Sequence, residues 1–171
     1  LQQLELAGGQ FDELAGRLAK QGFAVITGGS AGVMQAGNKG AYDAGGASVG
    51  LNINLPDVQA YNPYLTERFG FDHFFVRKVM LTYASEVYVY FPGGFGTLDE
   101  FFEIVTLVQT KKIRKVPIVL FGKEFWEPLL SFIDTMLYRE YKTINEDDTR
   151  LYTLVDSVDE AYDYIVHNTS C

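Results

Sequence analysis

Two kinds of segment alternate along this chain. Short apolar runs bounded by turn residues read as strands buried on both faces, and stretches with apolar residues three and four apart read as helices packed on them. Residues 11–19 predict a short amphipathic helix closed by Gly22, and the residues before Phe11 carry little pattern. Residues 23–27 predict a buried strand, followed by the glycine turn Gly28-Gly29-Ser30-Ala31-Gly32 and a helix over 33–44 that Gly45-Gly46 stops. A strand is expected over 48–53. Residues 54–71, with Pro56, Pro63 and several Asn and Tyr, read as irregular. A connection that long inside a compact domain is usually functional. A helix is expected over 77–84 and a strand over 86–91. Beyond a second glycine turn come a helix over 101–108, a strand over 116–121, a helix over 125–138, a strand or turn over 151–155 and a last helix over 158–167.

Strands alternating with helices are the mark of βαβ units, so the expected fold is α/β: a Rossmann-like open parallel sheet with helices on both faces. One nucleotide-binding domain over residues 1–171 is expected. Two glycine turns at the carboxyl ends of strands place two loops on one edge of such a sheet, where ligands of these folds bind.

The second turn is Pro92-Gly93-Gly94-Phe95-Gly96-Thr97-Leu98-Asp99-Glu100. Pro92 has no N–H for the ladder and ends the strand. The glycines are expected to supply positive φ and room for a ligand against the backbone. Thr97 is expected as the N-cap of the following helix, whose free N–H groups and dipole favour an anion, most often a phosphate. The same residues fit a capping box, Thr97-x-x-Glu100, in which Glu100 only bonds back to the cap. That reading leaves three neighbouring glycines unexplained.

Composition narrows the partners. The 171 residues carry a net charge of −8, and nearly half are apolar. A pI near 4.7 argues against nucleic-acid polymers and anionic membranes. No apolar run is long enough to span a bilayer, and no signal peptide is visible. Cys171 is the single cysteine, and His73 and His167 bring no third ligand, so no metal is expected. A reducing cytoplasm is the expected compartment. The chain begins at Leu1, so a segment upstream is expected to be missing.

Nucleotide fingerprints discriminate further. There is no Gly-x-x-x-x-Gly-Lys-Ser/Thr, and the second turn lacks the third glycine of the dinucleotide motif. The strand after the first turn ends Asn52-Ile53-Asn54, where an NAD enzyme wants Asp or Glu for the ribose. A mononucleotide or sugar phosphate fits better than NAD. Arg77-Lys78 opens a predicted helix, where two cations oppose the dipole; they either point to water or face an anion or Glu100. Lys111-Lys112-Ile113-Arg114-Lys115 follows a helix C-terminus, where cations are favoured, and reads as a solvated face.

Phe75-Val76-Arg77-Lys78-Val79-Met80 with the second turn resembles the LOG family of nucleotide-monophosphate phosphoribohydrolases, long labelled lysine decarboxylases. Its motif is Pro-Gly-Gly-x-Gly-Thr-x-x-Glu with an upstream Arg-Lys pair. Residues 27–34 resemble the family's first glycine turn, and Gly50-Leu51-Asn52-Ile53-Asn54-Leu55-Pro56 with Asn62-Pro63-Tyr64 resembles its larger bacterial branch. The resemblance runs from about residue 22 to 121. The family's usual N-terminal strand ending in Gly-Ser is absent, Ser30-Ala31 replace Gly-Pro in the first turn, and Gln35 replaces Glu.

The resemblance implies hydrolysis of the N-glycosidic bond of a nucleoside 5′-monophosphate to free base and ribose 5-phosphate, without a cofactor. It implies Arg77 and Glu100 as catalytic residues. Gly28, Gly29, Ser30, Lys78, Gly93, Gly94, Gly96, Thr97 and Thr106 would contact substrate. Thr106 reads equally as a helical threonine in the core. The base is expected against residues 54–71. A homodimer or higher even assembly is implied, with Phe101, Phe102 and Trp126 as surplus apolar surface.

Two rivals stand beside this reading. A pyridoxal-phosphate decarboxylase needs a Schiff-base lysine, and no lysine stands at a strand end beside an anion turn. A non-catalytic carrier, as for molybdenum cofactor, binds phosphate on a glycine turn but has no need of Arg77 with Glu100.

Overall fold

The computed structural model describes residues 2–54 and 61–169, with side chains from residue 5 onward. The chain forms two compact units, Leu1–Ser85 and Glu86–Cys171, each built as predicted for α/β: a parallel three-stranded sheet flanked by helices.

In the first unit the order is α1 (Gln2–Lys20), β1 (Val25–Thr27), α2 (Val33–Asp43), β2 (Ser48–Ile53), β3 (Glu67–Phe71) and α3 (Phe74–Ala84). The sheet order is β1-β2-β3, with Thr27 beside Gly50 and Asn52 beside Gly70. Helix α1 starts well before the predicted residue 11. Its buried stripe, Ala7, Leu14, Ala15 and Leu18, begins on the far side of Gly8-Gly9, a pair that reads locally as a breaker. The backbones of α1 and α2 touch. A Cβ on Gly40 would sit 1.9 Å from the Asp12 carbonyl oxygen, so only glycine fits there.

The predicted irregular stretch also needs correction. Residues 67–71 are strand β3, whose pattern is mostly exposed and so lacks the apolar signal of a buried strand. Residues 55–60 lie outside the described residues. Helix α3 starts three residues before Arg77, so Arg77 and Lys78 stand in its second turn and not at its dipole end.

The second unit runs β4 (Tyr88–Tyr90), α4 (Phe95–Gln109), β5 (Ile118–Phe121), α5 (Lys123–Phe132), a π-helical segment (Ile133–Glu140), a 3-10 turn (Glu146–Arg150), β6 (Thr153–Val155) and α6 (Val158–Asn168). Sheet order is β4-β5-β6, all parallel. Its core gathers Tyr90, Phe101, Ile104, Val108, Ile118, Leu120 and Trp126. Phe101 and Trp126 are fully buried there, so they are not the surplus apolar surface expected of them; Phe102 remains exposed. Lys111, Lys112, Arg114 and Lys115 lie exposed past the end of α4, as a solvated face should.

Candidate active site

The first glycine turn follows β1 and opens α2. Gly29 and Gly32 take left-handed φ of 70° and 77°, which favours glycine. A Cβ on Gly29 would also come within 3.0 Å of the Gly50 Cα, so turn and β2 pack backbone to backbone. Below the turn lies a buried polar network. The Thr27 hydroxyl donates to Asn38 Oδ1 at 2.5 Å and accepts from the Gly29 N–H at 2.9 Å. Asn38 Nδ2 donates to Ser48 Oγ at 2.9 Å, and Ser48 Oγ donates to the Tyr64 carbonyl at 2.7 Å. Asn62 Nδ2 donates to Asn38 Oδ1 at 3.0 Å and to the Ser30 carbonyl at 3.3 Å. The Asn62 N–H donates to the Gly29 carbonyl at 2.9 Å. Satisfied buried networks of this kind rigidify what they hold, here the turn and the segment from Asn62 to Thr66.

Sequence reasoning missed this network. The signal was present: Asn38 stands four residues after Met34 and three before Ala41, a polar residue on the apolar stripe of α2.

Arg77 reaches the same place. Its Nε donates to the Leu51 carbonyl at 2.9 Å, and its Nη2 lies 3.2 Å from where a Cβ on Gly28 would stand. The half-buried guanidinium therefore turns inward to the carboxyl end of β2, and the reading in which it points to water falls. Lys78 is half-buried and Ser30 buried. Thus Gly28, Gly29, Ser30 and Arg77 meet at one end of the first sheet.

The second turn is built differently from its prediction. Gly94 is the N-cap of α4, with φ −92°, and Thr97 is the third helical residue. Thr97 is not the cap, so the capping box of Thr97 with Glu100 does not form; Glu100 lies in the second turn of α4. None of Gly93, Gly94 and Gly96 has positive φ. Gly93 is required by packing, because an added Cβ would meet Thr97 Oγ1 at 2.1 Å. At Gly94 and Gly96 an added Cβ would meet nothing within 4 Å. Phe95 between them is 92% exposed.

Glu100 is half-buried, and its carbonyl accepts the Tyr90 hydroxyl at 3.1 Å. The Tyr90 phenol is pushed far up, first by burial and then by the charge of Glu100. The phenol stays protonated as a donor that ties α4 to the end of β4. Thr106 lies exposed further along α4, which removes its reading as a core threonine. Among the described residues no cluster of His, Cys, Asp and Glu fits a metal ion, and no helix is long and apolar enough to cross a membrane.

A family model described as "Possible lysine decarboxylase" matches residues 34–165. The chain belongs to this family, the LOG family. A cytokinin riboside 5′-monophosphate phosphoribohydrolase of Rhodococcoides fascians is 31% identical over 133 residues, covering 74% of this chain and 66% of that protein. The enzyme of the same name, LOG, from Oryza sativa subsp. japonica is 29% identical over 142 residues, covering 81% of this chain and 57% of its own length. The chain therefore spans somewhat under two thirds of these LOG-family relatives. Among solved structures, the molybdenum cofactor carrier protein of Chlamydomonas reinhardtii has a TM-score of 0.72 at 23% identity, covering 95% of this chain and 88% of that one; it shares the fold.

Proposed function

We propose that this LOG-family chain hydrolyses the N-glycosidic bond of a nucleoside 5′-monophosphate, giving free base and ribose 5-phosphate. The observation that carries the reading is the pair Gly94 and Gly96. Neither positive φ nor any protein contact demands glycine at either position, and Gly96 stands inside the first turn of α4, where glycine costs about 1 kcal/mol relative to alanine. A ligand lying against the backbone accounts for both. The 5′-phosphate accepts the free N–H groups at the start of α4, where Thr97 adds a polar contact, and Lys78 is assigned a substrate contact of its own.

In the reaction the C1′–N bond breaks and its electron pair leaves with the base nitrogen, which takes up a proton. Water adds its oxygen to C1′ and gives up a proton. Charge on C1′ in the transition state resembles an oxocarbenium ion, and a carboxylate beside it stabilises that charge or activates the water. Glu100 is assigned that role. Arg77, held by the Leu51 carbonyl, is assigned to the negative charge of the departing base or the phosphate. Thr106, exposed on α4, is assigned a substrate contact. The names of the LOG-family relatives support this reaction class.

A second reading, a non-catalytic cofactor carrier, is favoured by the fold match to the Chlamydomonas carrier protein. Incubation with AMP, GMP, CMP and a cytokinin riboside monophosphate, with base release followed by chromatography, separates the two. Release from at least one is expected; binding without release from any supports the carrier.

We also propose a homodimer or higher even assembly. Helix α3 exposes Phe74, Phe75, Val76, Val79, Met80 and Tyr83, and a helix apolar on so many sides is normally covered.

A further inference from the structure

Asn52 is 2% exposed, and neither its Oδ1 nor its Nδ2 has a hydrogen-bond partner. In the first unit it is the one described buried side chain so left. Thr27, Asn38, Ser48 and Asn62, buried nearby, are all bonded. An unpartnered buried amide is destabilising, so its presence asks for a reason.

Its surroundings supply one. Residues Ser48, Gly50 and Asn52 share a face of β2, the face on which Ser48 meets Asn38 of α2. The backbone neighbours of Asn52 on that face are glycines: Gly50 precedes it, with Leu65 Cδ1 2.7 Å from where a Cβ would stand and Gly29 of the first turn packed on it, and Gly70 lies opposite on β3. None of these groups hydrogen-bonds to the amide. Beyond it the carboxyl end of the sheet is polar: Asn54 Nδ2 donates to Asp72 at 2.8 Å, and a Cβ on Gly70 would lie 2.9 Å from the Tyr61 hydroxyl. Arg77 reaches the neighbouring residue, through the Leu51 carbonyl.

This is the place, at the end of the strand after a glycine turn, where dinucleotide folds set a carboxylate that reads a ribose hydroxyl. An amide there both donates and accepts. A vicinal pair of hydroxyls also offers donors and acceptors, and it carries no charge to bury. We propose that Asn52 binds the ribose 2′- and 3′-hydroxyls of the substrate and makes the site selective for ribonucleotides over 2′-deoxyribonucleotides. The inference rests on the phosphoribohydrolase reading for the identity of the sugar phosphate.

The test is Asn52→Leu, close in size and without polar atoms. Removing an unpaired buried amide should hold or raise the Tm by about 2–4 °C, so folding is not at risk. Two readouts are taken. In base release, kcat/KM for the ribonucleotide should fall by about 10²-fold, while that for the 2′-deoxy analogue changes by less than about 3-fold. Each substrate is compared between wild type and variant, because the deoxy glycosidic bond is intrinsically more labile. In direct binding, wild type should hold ribose 5-phosphate at least about 10-fold tighter than 2-deoxyribose 5-phosphate, and the variant should hold both alike. Equal losses on both sugars, or no loss on either, would overturn the assignment to Asn52. If wild type releases no base from any nucleotide, the hydrolase reading fails, while the sugar-phosphate measurement still decides whether Asn52 reads the hydroxyls.

Discussion

At the scale of single residues, the three glycines of Pro92-Gly93-Gly94-Phe95-Gly96 look equivalent in sequence and are not. Gly93 serves packing, since Thr97 occupies the space a side chain would take. Gly93→Ala is expected to cost about 1–3 kcal/mol in urea unfolding, with part recovered in the double variant Gly93→Ala/Thr97→Ala. Gly96→Ala, in open space within a helix, should instead leave stability equal or raise it by up to about 1 kcal/mol. On the proposed function the same change raises the KM for the monophosphate by about 10-fold or more, because it crowds the backbone face. A fall in Tm without a change in KM would return Gly96 to a structural role. The motif, and with it the family, was legible in the letters. The capping assignment of Thr97 was not, because Gly94, an N-cap without a side-chain oxygen, starts the helix three residues earlier.

At the scale of elements, hydrophobic period located β1, β2, α2, β5 and α6 closely, since each buries a regular face. It failed where the period was masked or missing. Gly8-Gly9 hid the first half of α1, and the exposed residues of β3 gave no strand signal. Tyr90 shows a coupling that no period reveals: a strand residue whose hydroxyl holds the α4 backbone at Glu100. Tyr90→Phe should cost about 0.5–1.5 kcal/mol at pH 7. It should also change the alkaline limb of stability. Burial and the nearby Glu103 charge push the Tyr88 phenol up to about 12, and burial with Glu100 pushes Tyr90 up further. The unfolded chain gives up these protons near pH 10, the folded chain later. Their contribution is therefore complete below about pH 10 and is lost as pH rises from there through the folded values. Melting temperatures across pH 8 to 12 should show a fall beginning above about 10 that is shallower in Tyr90→Phe. An identical alkaline fall in wild type and variant would contradict the burial of the Tyr90 phenol beside the Glu100 charge.

At the scale of the whole molecule, alternation of strands and helices predicted α/β correctly, and each unit has its own parallel sheet. Surface was less legible than core. Phe101 and Trp126 are interior, and the exposed apolar residues belong to α3, whose sequence is apolar on nearly every side. Phe75 is 75% exposed, so Phe75→Lys should leave the fold intact. On the proposed assembly it should shift the species seen by light scattering at micromolar concentration from dimer toward monomer. A wild-type monomer at that concentration would count against the assembly. The two catalytic candidates stand in different units of the chain, Arg77 in the first and Glu100 in the second. Their cooperation in one reaction is therefore a kinetic question.

That question is answered most directly by base release from the preferred monophosphate by Glu100→Gln, Arg77→Ala and the double variant, with monophosphate affinity and Tm recorded for each. Glu100→Gln removes one charge and keeps the shape of the side chain. Binding and Tm should hold near wild type while turnover falls by about 10²–10³-fold. Arg77→Ala should fall comparably, and the double variant should be little worse than either, as for residues that act as a unit. Near wild-type turnover in Glu100→Gln would contradict the mechanism and leave the carrier reading in its place.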